Sequence, residues 1–158
     1  MPNIVFRGVK DALGAPALGL GLSMLAFGAY LKASGFNIYQ SFLSTFFAFA
    51  LPGQYVMTET LLAGGNLLNI FLAVLLTNAR LFPMTIYLMP ILQNKSKSKF
   101  SYYILSHLIA VTSWINMLKK QNKIKQSKKF SYFLGMGGAL WLISIIATVF
   151  GYMLSDIL

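Results

Sequence analysis

The 158-residue sequence predicts an all-α, polytopic membrane protein, and three observations predict it. Hydrophobic residues make up 57% of the chain and charged ones only 10%, where a soluble domain carries roughly 25% charged residues. Apolar stretches long enough to cross a hydrocarbon core of ~30 Å recur from one end to the other. Nine of the thirteen basic residues fall in two short runs between those stretches, "KSKSK" (95–99) and "KKQNKIKQSKK" (119–129). Lysines so placed read as membrane-flanking loops. Nucleic acid is excluded as a partner, because its recognition needs basic and aromatic side chains on one soluble face.

About five transmembrane segments are expected within a single integral membrane domain, 1–158. The first covers 12–31, "ALGAPALGLGLSMLAFGAYL", too long for the ~7–15-residue core of a signal peptide. Its small residues (Gly14, Ala17, Gly19, Gly21 and Gly28) favour close packing of another helix. Gly35 and Asn37 then mark a turn. The second, 38–63, is interrupted by "LPGQ" (51–54). Pro52 supplies no N–H, so the carbonyl of Ala48 loses its helical partner, and Gly53 lets the chain turn. A broken or re-entrant helix is therefore expected near 51–66, with "AGGN" closing the region. The third, 67–92, would be roughly 39 Å long as a straight helix, so it is tilted, or broken near 78–83 at "NARLFP". The fourth and fifth cover 100–118 and 133–154. With five crossings, Arg7, Lys10 and the six lysines of 119–129 share one side, and Lys32 and the lysines of 95–99 the other. The positive-inside rule then puts the N-terminus and the 119–129 loop in the cytoplasm.

Catalysis finds little to use, and the chain is not expected to be an enzyme. There is no cysteine, so thiolate chemistry and Cys-ligated metals are excluded. His107 is the lone histidine and no metal motif surrounds it. The acids Asp11, Glu59 and Asp156 are scattered in sequence. No metal or cofactor is expected. His107 reads as a packing residue, and Trp114 and Trp141, with Tyr102, Tyr103 and Tyr132, read mostly as interfacial anchors.

Polar residues at membrane depth carry more information. A charge at the centre of a membrane helix costs roughly 3 kcal/mol or more and needs a partner or a cavity. Gln54 and Glu59 follow the Pro52–Gly53 break, Asn66 and Asn69 share a helical face, and Asn78 and Arg80 stand in an apolar run. Arg80 either pairs with a substrate carboxylate, pairs with Glu59, or extends to the interface.

Several of these segments, in this order, carry a resemblance. "FRGVKDALGAPALGLGLSMLAFGAYLKASGF" is similar to the amino-terminal region of the AzlC family of bacterial branched-chain amino-acid exporters. "SFLSTFFAFALPGQYV" resembles the family segment in which a serine helix runs into a Phe-Ala-Gly-x-x-Gln element, with Ser44, Phe49 and Gln54 in the corresponding places. "LLTNARLFPMTIYLMPIL" resembles its Asn-x-Arg segment through Asn78 and Arg80, and "YFLGMGGALWLISIIATVFGYML" its later glycine- and tryptophan-containing span. Ser106 and His107 stand about where the family places an acidic pair. Family members are usually longer, so a member shortened at its carboxy-terminus is expected.

The resemblance implies export of small aliphatic amino acids across the bacterial inner (plasma) membrane. It also implies a small AzlD-type membrane subunit as partner, in a homo- or hetero-oligomer. A zwitterionic substrate needs a site for its carboxylate, one for its ammonium and an apolar pocket. Broken helices supply the first two. The substrate-binding candidates are Pro52, Gly53, Gln54, Glu59, Asn78 and Arg80. The competing expectation, motivated by the missing acids and spans, is a non-transporting membrane scaffold.

Overall fold

The structure, a computed structural model, describes residues 3–94 and 96–155; Lys95 of the first lysine run and Asp156 lie outside the described residues. Among the described residues the secondary structure is helical throughout, with no strand. The helices are α1 (Ile4–Ala12), α2 (Ala15–Ala33), α3 (Ile38–Phe47), α4 (Leu51–Leu62), α5 (Leu67–Asn78), α6 (Leu81–Leu92), α7 (Lys99–His107), α8 (Val111–Lys120) and α9 (Gln126–Leu154).

Side chains that satisfy first-turn N–H groups fix several helix starts. Asn3 accepts from Val5 N–H, and Asn66 from Asn69 N–H at 2.9 Å. Asn37 and Gln40 cap reciprocally, at 2.8 and 2.9 Å. Asn66 is thus a cap, which corrects its reading as half of a polar pair at membrane depth. Gly35 (φ +82°) and Gly64 (φ +74°) take the left-handed conformation that closes the turns after α2 and α4.

Two helices, α2 and α9, are long and apolar enough to cross a membrane, and α5 with α6 makes a third if the bent pair is one span. That is fewer than the five expected, and the reason is local. The expected spans 38–63 and 100–118 are each split into two short helices, α3 with α4 and α7 with α8, none exceeding 12 residues. A 12-residue helix reaches about 18 Å, well short of a bilayer core.

The chain divides into two units. Unit 1 comprises the chain up to Leu20 together with Leu81–Leu142. Here α1 lies on the first half of α9 at backbone distance: a Cβ on Gly8 would overlap the Tyr132 carbonyl, and one on Gly135 the Val5 carbonyl. Such close approach is what small residues permit between apolar helices. Asp11 accepts hydrogen bonds from Tyr132 (2.8 Å) and Lys120 (2.6 Å). Tyr132 is therefore a buried structural residue rather than an interfacial anchor.

Within unit 1, α7 and α8 form a hairpin. Asn94, before α7, donates to the Ser127 carbonyl at the start of α9. His107, at the end of α7, meets the Trp141 ring edge-on at 5.9 Å. Leu108 then packs on Gly137, and α8 returns to place Lys120 beside Asp11. The fourth segment therefore enters and leaves at the same end of α9. The two lysine runs, expected on opposite sides, lie near each other here, since Lys97 lies over the Phe130 ring, within a turn of the second run.

Unit 2 comprises Gly21–Arg80 and the chain from Ile143 onward. Of the small residues expected to pack, Gly28 does so most closely, since a Cβ there would overlap the Thr148 carbonyl; Gly151 is likewise pressed on the Leu25 carbonyl. Gly19 has nothing within 4 Å of such a Cβ. Here α3 and α4 make the second hairpin: Thr45, near the end of α3, reaches Thr148, while Glu59 of α4 returns to Tyr30 near the end of α2.

Both expected breaks are present, the first a few residues upstream of its expected place and the second within the expected 78–83. The helix stops at Ala48–Ala50, upstream of Pro52, which occupies the first turn of α4. The Ala48 carbonyl is not left open, because it accepts from Ala50 N–H at 2.6 Å. Likewise the second break is at Ala79–Arg80, and Pro83 lies in the first turn of α6. Proline lacks the N–H that a first turn leaves unused, so it begins helices more readily than it interrupts them.

Candidate functional site

Unit 2 buries an unusual proportion of polar side chains. Among its described residues Ser41, Thr45, Gln54, Thr58, Ser144 and Thr148 are buried, against five large apolar side chains, Met24, Phe27, Leu31, Phe49 and Ile145. Unit 1 buries one polar side chain of this kind, Ser113. Buried hydroxyls and amides are retained when they have partners, and the partners here form a directed chain. Thr148 donates to the Ser144 carbonyl at 2.8 Å. Its oxygen is 3.0 Å from the Thr45 hydroxyl, which therefore donates to it. With its proton used, Thr45 accepts from the Gln54 amide nitrogen at 3.2 Å, and Ser44 accepts from the same nitrogen at 3.0 Å.

This chain fixes the orientation of Gln54. Its nitrogen serves two hydroxyls, so its carbonyl oxygen Oε1 points elsewhere, and it is buried with no hydrogen-bond partner. A second amide oxygen has the same character: Asn78 Oδ1 is buried and accepts nothing. The two residues are neighbours through Gly53, because a Cβ on Gly53 would overlap the Asn78 amide. Leaving such an acceptor unmade costs about 1–3 kcal/mol, so each of these oxygens has the capacity to accept one further hydrogen bond.

The start of α4 supplies the opposite polarity. Ala50 precedes it and no side chain caps it. The Gln54 N–H bonds the Ala50 carbonyl, but first-turn N–H groups carry the positive end of the helix dipole. Alongside, a groove of about 440 Å³ is lined by Met57, Leu67, Ile70, Phe71, Val74, Leu75 and, as its polar member, Asn78. That volume lies within the ~300–1,000 Å³ range of small-molecule sites.

The structure brings four of the candidates together: Pro52 and Gly53 in the first turn of α4, Gln54 after them, and Asn78 against Gly53. Glu59 lies further along α4, is exposed, and accepts a hydrogen bond from Tyr30. Arg80 is exposed at the end of α5, and no ion pair joins it to Glu59 among the described residues. Sequence reading missed Thr45 and Thr148, whose contact joins positions 103 apart in the chain. It also missed Trp114, whose buried indole N–H has no partner although the residue was read as an anchor.

Among the described residues no group of three or more His, Asp or Glu side chains could hold a metal ion. Of the comparisons with known proteins, a family model described as AzlC protein matches residues 16–158. No curated protein and no solved structure matches the chain.

Proposed function

The chain belongs to the AzlC family, whose members are associated with branched-chain amino-acid transport, and from that premise we propose that it exports small aliphatic amino acids through a site in unit 2. The observation that carries the reading is the pair of unpartnered amide oxygens on Gln54 and Asn78, beside an uncapped helix start. An amino-acid ammonium is a donor of the kind these oxygens lack. The carboxylate takes the first turn of α4, where Pro52 fixes the helix start and Gly53 leaves room for the Asn78 amide. The branched side chain lies in the apolar groove along α5.

Arg80 draws the carboxylate towards this region from its exposed position, and Glu59, held by Tyr30, adds a negative charge on the ammonium side. In the bilayer, α2, α9 and the α5–α6 pair cross, while α3–α4 and α7–α8 enter and return. The lysine runs flanking α7–α8 lie in the cytoplasm, as the positive-inside rule favours. A small AzlD-type subunit or a second copy has a surface available, since α5 buries none of its residues.

Counterflow of radiolabelled leucine or valine in proteoliposomes tests the proposal. Gln54→Ala, Gly53→Ala and Asn78→Ala are expected to reduce transport at least tenfold with insertion unchanged. Arg80→Ala and Glu59→Gln are expected to raise the substrate concentration needed. Normal transport by the Gln54 and Asn78 variants would remove the site. No transport by the parent protein, alone or with a small membrane subunit, would favour a scaffold.

A further inference from the structure

We propose that the groove between α6 and α7 in unit 1 binds one anionic phospholipid, with its phosphate at Lys97 and Lys99 and an acyl chain along Met89 and Tyr103. Two adjoining depressions, of about 500 and 410 Å³, share Met89, Lys99 and Tyr102 and so form one trough. Its outer end is polar and cationic, with Gln93, Asn94 and Lys97; its inner end adds Thr85, Tyr103 and Ser106. A cationic mouth on an apolar trough matches an amphiphile with one anionic head.

The mouth is a built feature rather than a loose loop. Asn94 N–H donates to the Tyr102 hydroxyl at 2.8 Å, and that hydroxyl donates back to the Asn94 carbonyl at 3.1 Å. Gln126 donates to the Ile91 carbonyl at 3.0 Å, tying the end of α6 to the start of α9. Ser98 begins α7 without capping it through its side chain, so first-turn N–H groups add to the positive end.

Charge balance identifies the occupant. The carboxylates among the described residues are Asp11 and Glu59, and they are bonded to Lys120 with Tyr132 and to Tyr30. Neither serves Lys97 or Lys99, and Lys97 meets only the face of Phe130, 5.4 Å from its centroid. Two exposed ammonium groups over an apolar trough at a membrane surface call for an anion that carries its own hydrocarbon.

The test uses the whole chain, purified in neutral detergent and titrated with phosphatidylglycerol or phosphatidylcholine. Native mass spectrometry reads retention and thermal unfolding reads stabilisation. Phosphatidylglycerol is expected to be retained at one equivalent and to raise the midpoint, with phosphatidylcholine at least tenfold weaker. The K97Q/K99Q variant should bind about 25-fold more weakly, since each lysine beside an anionic headgroup contributes about fivefold. K123Q/K125Q removes the same charge from the neighbouring loop and should stay within about twofold of the parent. Equal losses in the two variants, equal retention of phosphatidylcholine, or inorganic phosphate that competes off the lipid would each overturn the proposal. So would a cross-link from Lys99 to a co-purified small membrane protein with no lipid retained.

Discussion

Replacing Gln54 by leucine separates a binding residue from a structural one, because the two roles predict different energies. Gln54 is 1% exposed and donates to Ser44 and Thr45. Each bond contributes about 1 kcal/mol net, so their loss costs about 2 kcal/mol. Against this, the unpartnered Oε1 already costs about 1–3 kcal/mol in the parent protein, and leucine of similar size removes that cost. Thr45 keeps its bond to Thr148, so the hydroxyl chain survives. The net change is expected to lie within about 1 kcal/mol of zero. The substrate response should behave differently. Leucine at a hundred times its dissociation constant stabilises the parent by about 2.7 kcal/mol, and the Gln54→Leu protein should gain none of it. Thermal unfolding in detergent, with and without leucine, reads both quantities. A variant destabilised by more than about 3 kcal/mol, or one that keeps the full leucine shift, would refute the reasoning.

Three further outcomes are expected. Gly28→Val should destabilise the protein by several kcal/mol on the scale of overpacked cores, because its Cβ would meet the Thr148 carbonyl, while Gly138→Ala, with open space around it, should be neutral or slightly stabilising in the same melts. Burial opposes ionisation of Asp11, but its bonds to Lys120 and Tyr132 prevail and hold the carboxyl below its usual range. Its folded pKa is thus depressed, so the stability it contributes is present above the unfolded pKa and is lost as pH falls through the folded one; Asp11→Asn should be less stable than the parent at pH 7 and equal to it near pH 2. Finally, the chain has no cysteine, so single cysteines at Ser96 and Lys123 can be labelled from either side of sealed vesicles, and they should react from the same side, whereas a fourth crossing through 100–118 requires opposite sides.

What the sequence disclosed follows from which signals are local. The turns at Gly35 and Gly64 depend on a few adjacent residues and could be read directly, whereas the caps by Asn37 and Asn66 emerge only with the helix starts in place. Pro52 and Pro83 marked the right neighbourhoods, but each begins the helix that follows its break. The break at Leu108–Ala110 has neither proline nor glycine, and it turned an expected crossing into a hairpin. Its one local signal is Ser113, which accepts from Ala110 N–H at 2.9 Å and donates to the Leu108 carbonyl at 2.8 Å. Gln54 was legible as a polar residue in an apolar run, whereas Thr45 and Thr148 have hydroxyls common in any membrane helix. Only a contact across most of the chain gives them a role.

The two hairpins follow one plan, and the difference between them explains where the candidate site falls. In each, a three-residue break ends in an alanine, Ala50 or Ala110, and the second helix starts without a side-chain cap from that residue. Backbone exposed by such a break inside a bilayer must be satisfied by the protein or by a ligand. In unit 1 the third residue of the second helix is Ser113, whose hydroxyl serves both sides of the break. In unit 2 the third residue of α4 is Gly53, which has no side chain to do this. The Asn78 amide lies against Gly53 instead, yet its carbonyl oxygen accepts no hydrogen bond. One break is therefore closed by its own sequence and the other is left with acceptors to spare. The proposed site therefore rests on the asparagine and glycine that differ from the closed arrangement, and a Gly53→Ser variant, which restores a hydroxyl at that place, is expected to lose transport in the counterflow assay.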